Sequence, residues 1–126
     1  MKDIRREFHI KAKPDEIYYA LTNPISIELW TGYPAVMEPK ADTEFSIWEG
    51  DIHGKNLEFI VNKKIIQEWY FGNQKNPSIV TIELHPEKGG TRIVLFHTNV
   101  PDDAFHNVEY GWQESYFGAL KRYFEK

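Results

Sequence analysis

The chain has 126 residues, 41% apolar and 27% charged, with 15 Lys and Arg against 19 Asp and Glu and a net charge of −4. This composition predicts one soluble globular domain over residues 1–126 and argues against a disordered chain. The acidic balance argues against a nucleic-acid partner, which requires a basic face, and the lack of cysteine excludes disulfides, thiolate zinc sites and cysteine nucleophiles.

The N-terminal part of the chain predicts one strand followed by two short helices. Apolar and polar side chains alternate over residues 4–12, a pattern typical of a half-buried strand. Pro14 suits the first position of a helix, because its missing N–H needs no partner there. Asn23 is a suitable N-cap for a second helix that reaches about Trp30.

Six more strands are predicted after the helices. Alternation and turn residues place them at residues 35–38, 44–48, 55–61, 64–71, 78–85 and 91–98. Within the third of these, we expect Leu57, Phe59 and Val61 to face the core. Together with the N-terminal strand, the pattern predicts seven antiparallel strands. An exposed edge strand at residues 35–38 is available to pair across a dimer, so we expect a monomer or a homodimer.

The chain after Pro101 predicts a single long helix from about residue 103 to residue 124. At 100° per residue, Val108, Trp112 and Tyr116 lie on one apolar stripe. A helix of about 20 residues is about 30 Å long and can cross a whole sheet. The predicted fold class is therefore α+β, in the order β-α-α-β6-α, with a seven-stranded curved antiparallel sheet wrapped on a long C-terminal helix.

An apolar cavity between the sheet and the helix is expected, because a straight helix cannot contact all of a concave sheet. The alternative is that side chains fill this space, since protein interiors pack to crystal density. The aromatic content of 15% is compatible with both. The predicted ligand-binding residues lining the cavity are Trp30, Tyr33, Phe45, Ile47, Trp69, Ile82, Leu95, His97, Trp112 and Tyr116.

Two glycines interrupt the predicted helix, at Gly111 and Gly118. Each costs about 1 kcal/mol relative to alanine in a helix interior. They are seven residues apart and therefore lie on the same edge of the helix. Either a close backbone approach to a neighbouring element or room for a ligand would account for them.

Few residues are candidates for catalysis. By strand alternation His97 points inward, where it acts as a general acid or base, anchors a polar ligand group, or is a satisfied core histidine. Tyr116 and Glu109 are further acid-base candidates. The sequence contains no HExxH, GxSxG, P-loop or dinucleotide motif. We therefore assign no catalytic residue and expect no metal and no cofactor.

Three stretches of the sequence together resemble one superfamily. KPDEIYYALTNPISIELW, at residues 13–30, resembles its opening segment, and VTIELHPEKGGTRIVLFHTNVP, at residues 80–101, resembles its hairpin of two long strands. GWQESYFGALKRYFE, at residues 111–125, resembles its terminal helix. The superfamily is the START/Bet v 1-like (SRPBCC) group of helix-grip proteins. The most similar branch is that of the C-terminal domain of the activator of the ninety-kilodalton heat-shock protein ATPase homologue.

The resemblance implies a helix-grip fold over nearly the whole chain and three possible functions. The first is non-enzymatic binding of a small hydrophobic or aromatic ligand in the cavity. The second is a module that interacts with a heat-shock chaperone, although a chain of 126 residues is expected to lack the separate N-terminal domain of eukaryotic members. The third is an enzyme of the cyclase or aromatase type.

The cellular location follows from two further features of the sequence. No apolar run approaches the roughly 20 residues that a membrane span needs, and the residues after Met1 lack the apolar segment of a signal peptide. We therefore expect a cytoplasmic protein without a membrane span.

Overall fold

The structure is a computed structural model that describes residues 1–72 and 74–125. Its elements, in chain order, are β1 (Lys2–Ile10), α1 (Pro14–Thr22), α2 (Pro24–Thr31), β2 (Glu44–Ile47), β3 (Ile52–Ile60), β4 (Lys64–Trp69), β5 (Ser78–Glu87), β6 (Gly90–Val100), a 3₁₀ turn (Asp102–Ala104), α3 (Phe105–Gly111), a π-helical turn (Trp112–Tyr116) and α4 (Phe117–Phe124). Among the described residues, no helix has the length and apolar character that crossing a membrane requires.

The six strands form one antiparallel sheet in the order β1-β6-β5-β4-β3-β2. Consecutive strands from β2 to β6 are neighbours, whereas β1 pairs with β6, with Ile4 opposite His97. The two helices α1 and α2 therefore carry the chain from one edge of the sheet to the other. This arrangement, with a helical segment at the C-terminus, confirms the predicted α+β helix-grip fold.

The prediction of a strand at residues 35–38 is wrong. Among the described residues, this segment pairs with the sheet at one isolated bridge only. There Val36 and Ser46 exchange two backbone hydrogen bonds of 2.9 Å. Pro34 and Pro39 flank this segment, and proline both lacks an N–H and restricts the residue before it, which confines the pairing to a single bridge. The sheet has six strands rather than seven, and β2 is its edge on this side.

The expected alternation in β3 is also corrected by the structure. A register shift between Asn56 and Glu58 exchanges the two faces of the strand. As a result Asn56 is fully buried, Phe59 is half-buried, and Val61 is 67% exposed. A polar side chain therefore occupies a core position that alternation assigned to apolar residues.

Burial of apolar surface holds the helices against the sheet. Alternate residues of β5, including Val80 and Ile82, are buried, and so is Leu95 of β6. The C-terminal segment contributes Trp112 and Phe117 to the same cluster, both at most 2% exposed. The core therefore lies between the sheet and the C-terminal segment, with α1 and α2 closing one end.

The C-terminal segment is helical over the expected residues, but it is not one regular α-helix. Residues 112–116 form a π-helical turn between α3 and α4. A Cβ atom at Gly118 would lie 2.5 Å from the backbone oxygen of Gln113, so glycine is required for this turn to form. At Gly111 an added Cβ would meet no described atom of a neighbouring element within 4 Å. Close backbone approach therefore explains Gly118, within its own helix, but not Gly111.

The two glycines are expected to respond in opposite ways to alanine. Gly111→Ala should raise the free energy of unfolding by about 0.5–1 kcal/mol, because alanine favours the helix and meets no obstacle. Gly118→Ala should lower it, because the new methyl group collides with the Gln113 oxygen. Urea denaturation of the two variants beside the wild type measures both changes, and shifts of the same sign would contradict this account.

Candidate ligand-binding cleft

A cleft of about 350 Å³ lies where the C-terminal helical segment crosses the β2–β3 turn and the end of β4. Its volume falls within the range of roughly 300–1,000 Å³ that small-molecule sites occupy. The lining residues are Trp48, Asp51, Ile52, His53, Trp69, Tyr70, Phe71, Asn107, Val108, Gly111, Trp112, Ser115 and Tyr116.

Aromatic side chains dominate the walls of the cleft. Six of the thirteen lining residues are Trp, Tyr or Phe. The rings of Trp112 and Trp69 stack with their centres 4.6 Å apart, and Tyr116 lies 4.6 Å from Trp112. The same rings continue into the core, because Phe117 stacks on Trp112 at 5.5 Å. The cleft is therefore the open end of a packed aromatic cluster.

Trp48 forms the sheet-side wall from an unusual backbone conformation. Its φ is 53°, and Glu49 and Gly50 follow with φ values of 54° and 97°. A bulky residue rarely adopts a left-handed φ unless its surroundings compensate for the strain. The Trp48 ring packs edge-on to Trp30 at 5.7 Å and lies 6.1 Å from Tyr116. These contacts hold the turn in place beside the cleft.

Trp112 is held by a hydrogen bond to His97, which lies behind the cleft wall. The Trp112 indole N–H donates to Nδ1 of His97 at 2.9 Å. Nδ1 is therefore unprotonated, and Nε2 carries the ring proton that it donates to Ser78 Oγ at 2.6 Å. The Ser78 hydroxyl in turn donates to the carbonyl of Thr98 at 3.1 Å. Both ring nitrogens of His97 are thus engaged.

The environment of His97 keeps its ring neutral. Burial lowers the pKa of His97 to about 4, against a smaller opposing effect from the charge of Asp3. A neutral, fully hydrogen-bonded ring that does not line the cleft serves to position Trp112. It leaves no ring nitrogen free for acid-base chemistry in the cleft.

Trp69 is held in a similar way by a second buried polar chain. Its indole N–H donates to Gln67 Oε1 at 3.0 Å, and Gln67 Nε2 donates to Asn56 Oδ1 at 3.0 Å. Asn56 Nδ2 then donates to Thr43 Oγ1 at 3.1 Å. Asn56 and Gln67 are almost completely buried. Both tryptophans that stack at the base of the cleft are therefore fixed by core side chains.

Of the ten residues predicted to line a cavity, the structure brings three together at the cleft: Trp69, Trp112 and Tyr116. Trp30 lies directly behind them, 5.1 Å from Tyr116. His97 supports the wall from the core side, as described above.

The other five predicted residues lie elsewhere. Ile47, Ile82 and Leu95 are buried in the core, Phe45 is buried beside a separate shallow depression, and Tyr33 is 48% exposed. The sequence prediction placed the cavity between the sheet and the C-terminal helix. Buried side chains, including the rings of Trp112 and Phe117, occupy much of that space, and the open volume lies beside β3 and β4.

The residues that sequence reasoning missed come mainly from the β2–β3 turn and the end of β4. They include Trp48, Asp51, His53, Tyr70 and Phe71. One signal could have pointed to them: three consecutive aromatic residues at 69–71 cannot all be buried by one strand, whose side chains alternate between faces. At least one aromatic ring at this strand end has to line a surface.

Charged groups are sparse in the cleft. Among the described residues, its lining contains one carboxylate, Asp51, and no lysine or arginine. Within residues 1–72 and 74–125, no group of three or more His, Asp or Glu side chains is arranged to hold a metal ion. The site is therefore an aromatic cleft with a few polar groups along its walls.

Comparison with known proteins relates nearly the whole chain to one family. The sequence model of the family described as "Activator of Hsp90 ATPase homolog 1-like protein" matches residues 11–125. The Activator of 90 kDa heat shock protein ATPase homolog 2 of Mus musculus is 28% identical over 109 residues, which are 85% of this chain and 33% of that protein. The chain thus spans about one third of the length of the curated relatives it matches.

Solved structures share the fold over nearly the whole chain. An HSP90 activator from Plasmodium falciparum is 21% identical with a TM-score of 0.88, covering 97% of this chain and 95% of that one. The Aha1 dimer from Colwellia psychrerythraea is 21% identical with a TM-score of 0.85, covering 99% and 97%. At these identities the likeness shows the helix-grip fold.

His97 is expected to make the protein less stable in mild acid. Its pKa is about 4 in the folded chain against 6.5 as a free group, so the unfolded chain takes up the proton first. The free energy of unfolding should therefore fall between pH 6.5 and pH 4, by about 3 kcal/mol from this group. His97→Gln removes this titration and should flatten that part of the pH profile.

Urea denaturation across this pH range measures the effect. His106→Gln is the matched control, since it removes an exposed histidine and should keep the wild-type slope. Equal slopes for His97→Gln and the wild type would show that His97 is not kept neutral by burial.

Proposed function

The chain belongs to the family of Activator of Hsp90 ATPase homolog 1-like proteins, and we propose that it binds a small hydrophobic or aromatic molecule in its cleft without catalysis. The observation that carries this proposal is the aromatic cleft of about 350 Å³. Gly111 lines the cleft without a side chain, and a Cβ built there would meet no neighbouring atom within 4 Å among the described residues, so the helix side of the cleft is open.

The energetics of the cleft favour a ligand with a flat apolar body. Burying apolar surface contributes roughly 25 cal/mol per Å², and aromatic rings offer large areas for it. Trp69 and Trp112 are already held by their indole N–H bonds, so binding does not have to order them. A preorganised wall loses little conformational entropy when a ligand enters.

Polar side chains on the cleft walls are available to orient the ligand. Asn107 and Ser115 come from the helical side and His53 from the sheet side, and all three are exposed. A few polar groups among aromatic walls are typical of small-molecule sites. Recognition would therefore combine ring contacts with one or two hydrogen bonds.

The candidate acid-base groups are engaged in other contacts, which supports binding without catalysis. Both nitrogens of His97 are hydrogen-bonded. Burial raises the pKa of the Tyr116 hydroxyl, so it stays protonated and cannot act as a base near neutral pH. Glu109 forms an ion pair with Arg6.

A second candidate function is contact with a chaperone of the 90 kDa heat-shock class. The curated relatives are named as activators of that chaperone's ATPase, and the chain matches about one third of their length. Ile25 and Leu29, four residues apart on one face of α2, are 72% and 64% exposed. An apolar face of this kind suits burial against a protein partner.

Ligand binding is tested by titrating the intrinsic tryptophan fluorescence, because three of the four tryptophans line the cleft. The panel contains flavonoids, sterols and fatty acids, and at least one compound should quench the emission saturably and raise the melting temperature. Gly111→Leu should weaken that binding by about tenfold or more, since its side chain would occupy the cleft.

Gln113→Leu is the matched control for this experiment. It adds the same side chain at an exposed position of the same helical segment, outside the cleft, and should retain the wild-type affinity. A panel that produces neither quenching nor a thermal shift would count against the proposal, as would unchanged affinity in Gly111→Leu.

Chaperone contact is tested by co-precipitation with the 90 kDa heat-shock protein of the same organism and by its ATPase rate. The wild type should be retained, whereas the double variant Ile25→Glu and Leu29→Glu should lose binding, because charges replace the apolar face. Gly111→Leu should bind as the wild type does. Failure of the wild type to bind or to alter the ATPase rate would reject this second function.

A further inference from the structure

The described residues that line the cleft carry a carboxylate, Asp51, and no lysine or arginine. Asp51 is exposed at its rim, and no described residue forms an ion pair with its carboxylate. The turn fixes its position, because the Asp51 backbone N–H donates to the carbonyl of Trp48 at 3.1 Å. A negative charge therefore lies next to the aromatic wall, and no cation in the described part of the chain pairs with it.

The nearest lysine along β3 does not compensate this charge. Lys55 directs its ammonium group to Asp42, with Nζ 3.6 Å from the carboxylate oxygen. The cleft lining, over residues 1–72 and 74–125, contains no lysine or arginine. A ligand carboxylate would thus find no positive partner among the lining residues and would approach Asp51 at the rim.

The aromatic walls, like Asp51, attract a positively charged ligand. The face of an aromatic ring carries a partial negative charge that attracts cations, most strongly in tryptophan. Trp48 is half-buried and Tyr70 exposed at the cleft, so their rings can reach a ligand, whereas the faces of Trp112 are covered by Trp69 and Phe117. An ammonium group placed against these rings gains attraction that a neutral group of the same shape does not, whereas an anion gains no such attraction from the rings.

We propose that the cleft selects a ligand with an ammonium group on an apolar or aromatic body over a carboxylate of the same shape. This inference rests on the proposed binding function and adds the charge class of the ligand to it. The aromatic walls supply the apolar contact, and the rings together with Asp51 supply the preference for positive charge.

Isothermal titration calorimetry with three probes that share a naphthyl group tests this preference. The probes are trimethyl(2-naphthylmethyl)ammonium, the neutral 2-naphthalenemethanol and the anionic 2-naphthylacetate. The cation should bind most tightly and the anion least, with about tenfold or more between their dissociation constants.

Two charge-removing variants assign the preference to the rim carboxylate. Asp51→Asn should weaken binding of the cation by about fivefold and leave the neutral probe unchanged. Glu58→Gln removes the same charge from an exposed position on β3 outside the cleft and should alter none of the three affinities.

The outcomes separate this inference from the function on which it rests. If the neutral probe binds and the cation has no advantage over the anion, the charge preference is wrong while the binding function stands. If the cation is preferred but Asp51→Asn binds it as tightly as the wild type, the role of Asp51 is rejected. If none of the three probes binds, both the preference and aromatic-ligand binding at this cleft are overturned.

Discussion

The indole ring of Trp112 joins the C-terminal helical segment to the sheet. Its N–H donates to Nδ1 of His97 at 2.9 Å, and its ring stacks between Trp69 and Phe117. Trp112 is 2% exposed, so an unpaired indole N–H there would cost about 1–3 kcal/mol. This combination of one directional bond and two stacked rings determines where the helix lies, and hence where the space beside it opens.

Both walls of the cleft are built on backbone that departs from regular structure. On the helix side, the π-helical turn brings Trp112, Tyr116 and Phe117 into the core together, which requires a glycine at position 118. On the sheet side, Trp48 adopts a left-handed φ. Such conformations are stable only when tertiary contacts compensate for them, and they concentrate at functional sites. The aromatic cluster is the compensating interaction here.

The two proposed functions use different parts of the molecule. The cleft is lined by residues of the β2–β3 turn, the end of β4 and the C-terminal helical segment, whereas the exposed apolar pair Ile25 and Leu29 lies on α2. Ligand binding and chaperone contact are therefore compatible in one chain. Trp30 of α2 contacts both Trp48 and Tyr116. The cleft and the exposed face of α2 are therefore supported by the same packed aromatic side chains.

The sequence alone predicted the α+β class, the initial strand with its two short helices and the helical C-terminus, because alternation, helical spacing and turn residues are local patterns, and its motifs resembled the family. It also nominated Trp69, Trp112 and Tyr116, which the structure places on the lining of the cleft. Local patterns do not report where distant segments meet. The bulge after Asn56 and the prolines around Val36 altered the expected strands. Only the packed tertiary structure filled the middle of the core with aromatic rings and left the open volume where Trp48 and Asp51 approach the helix.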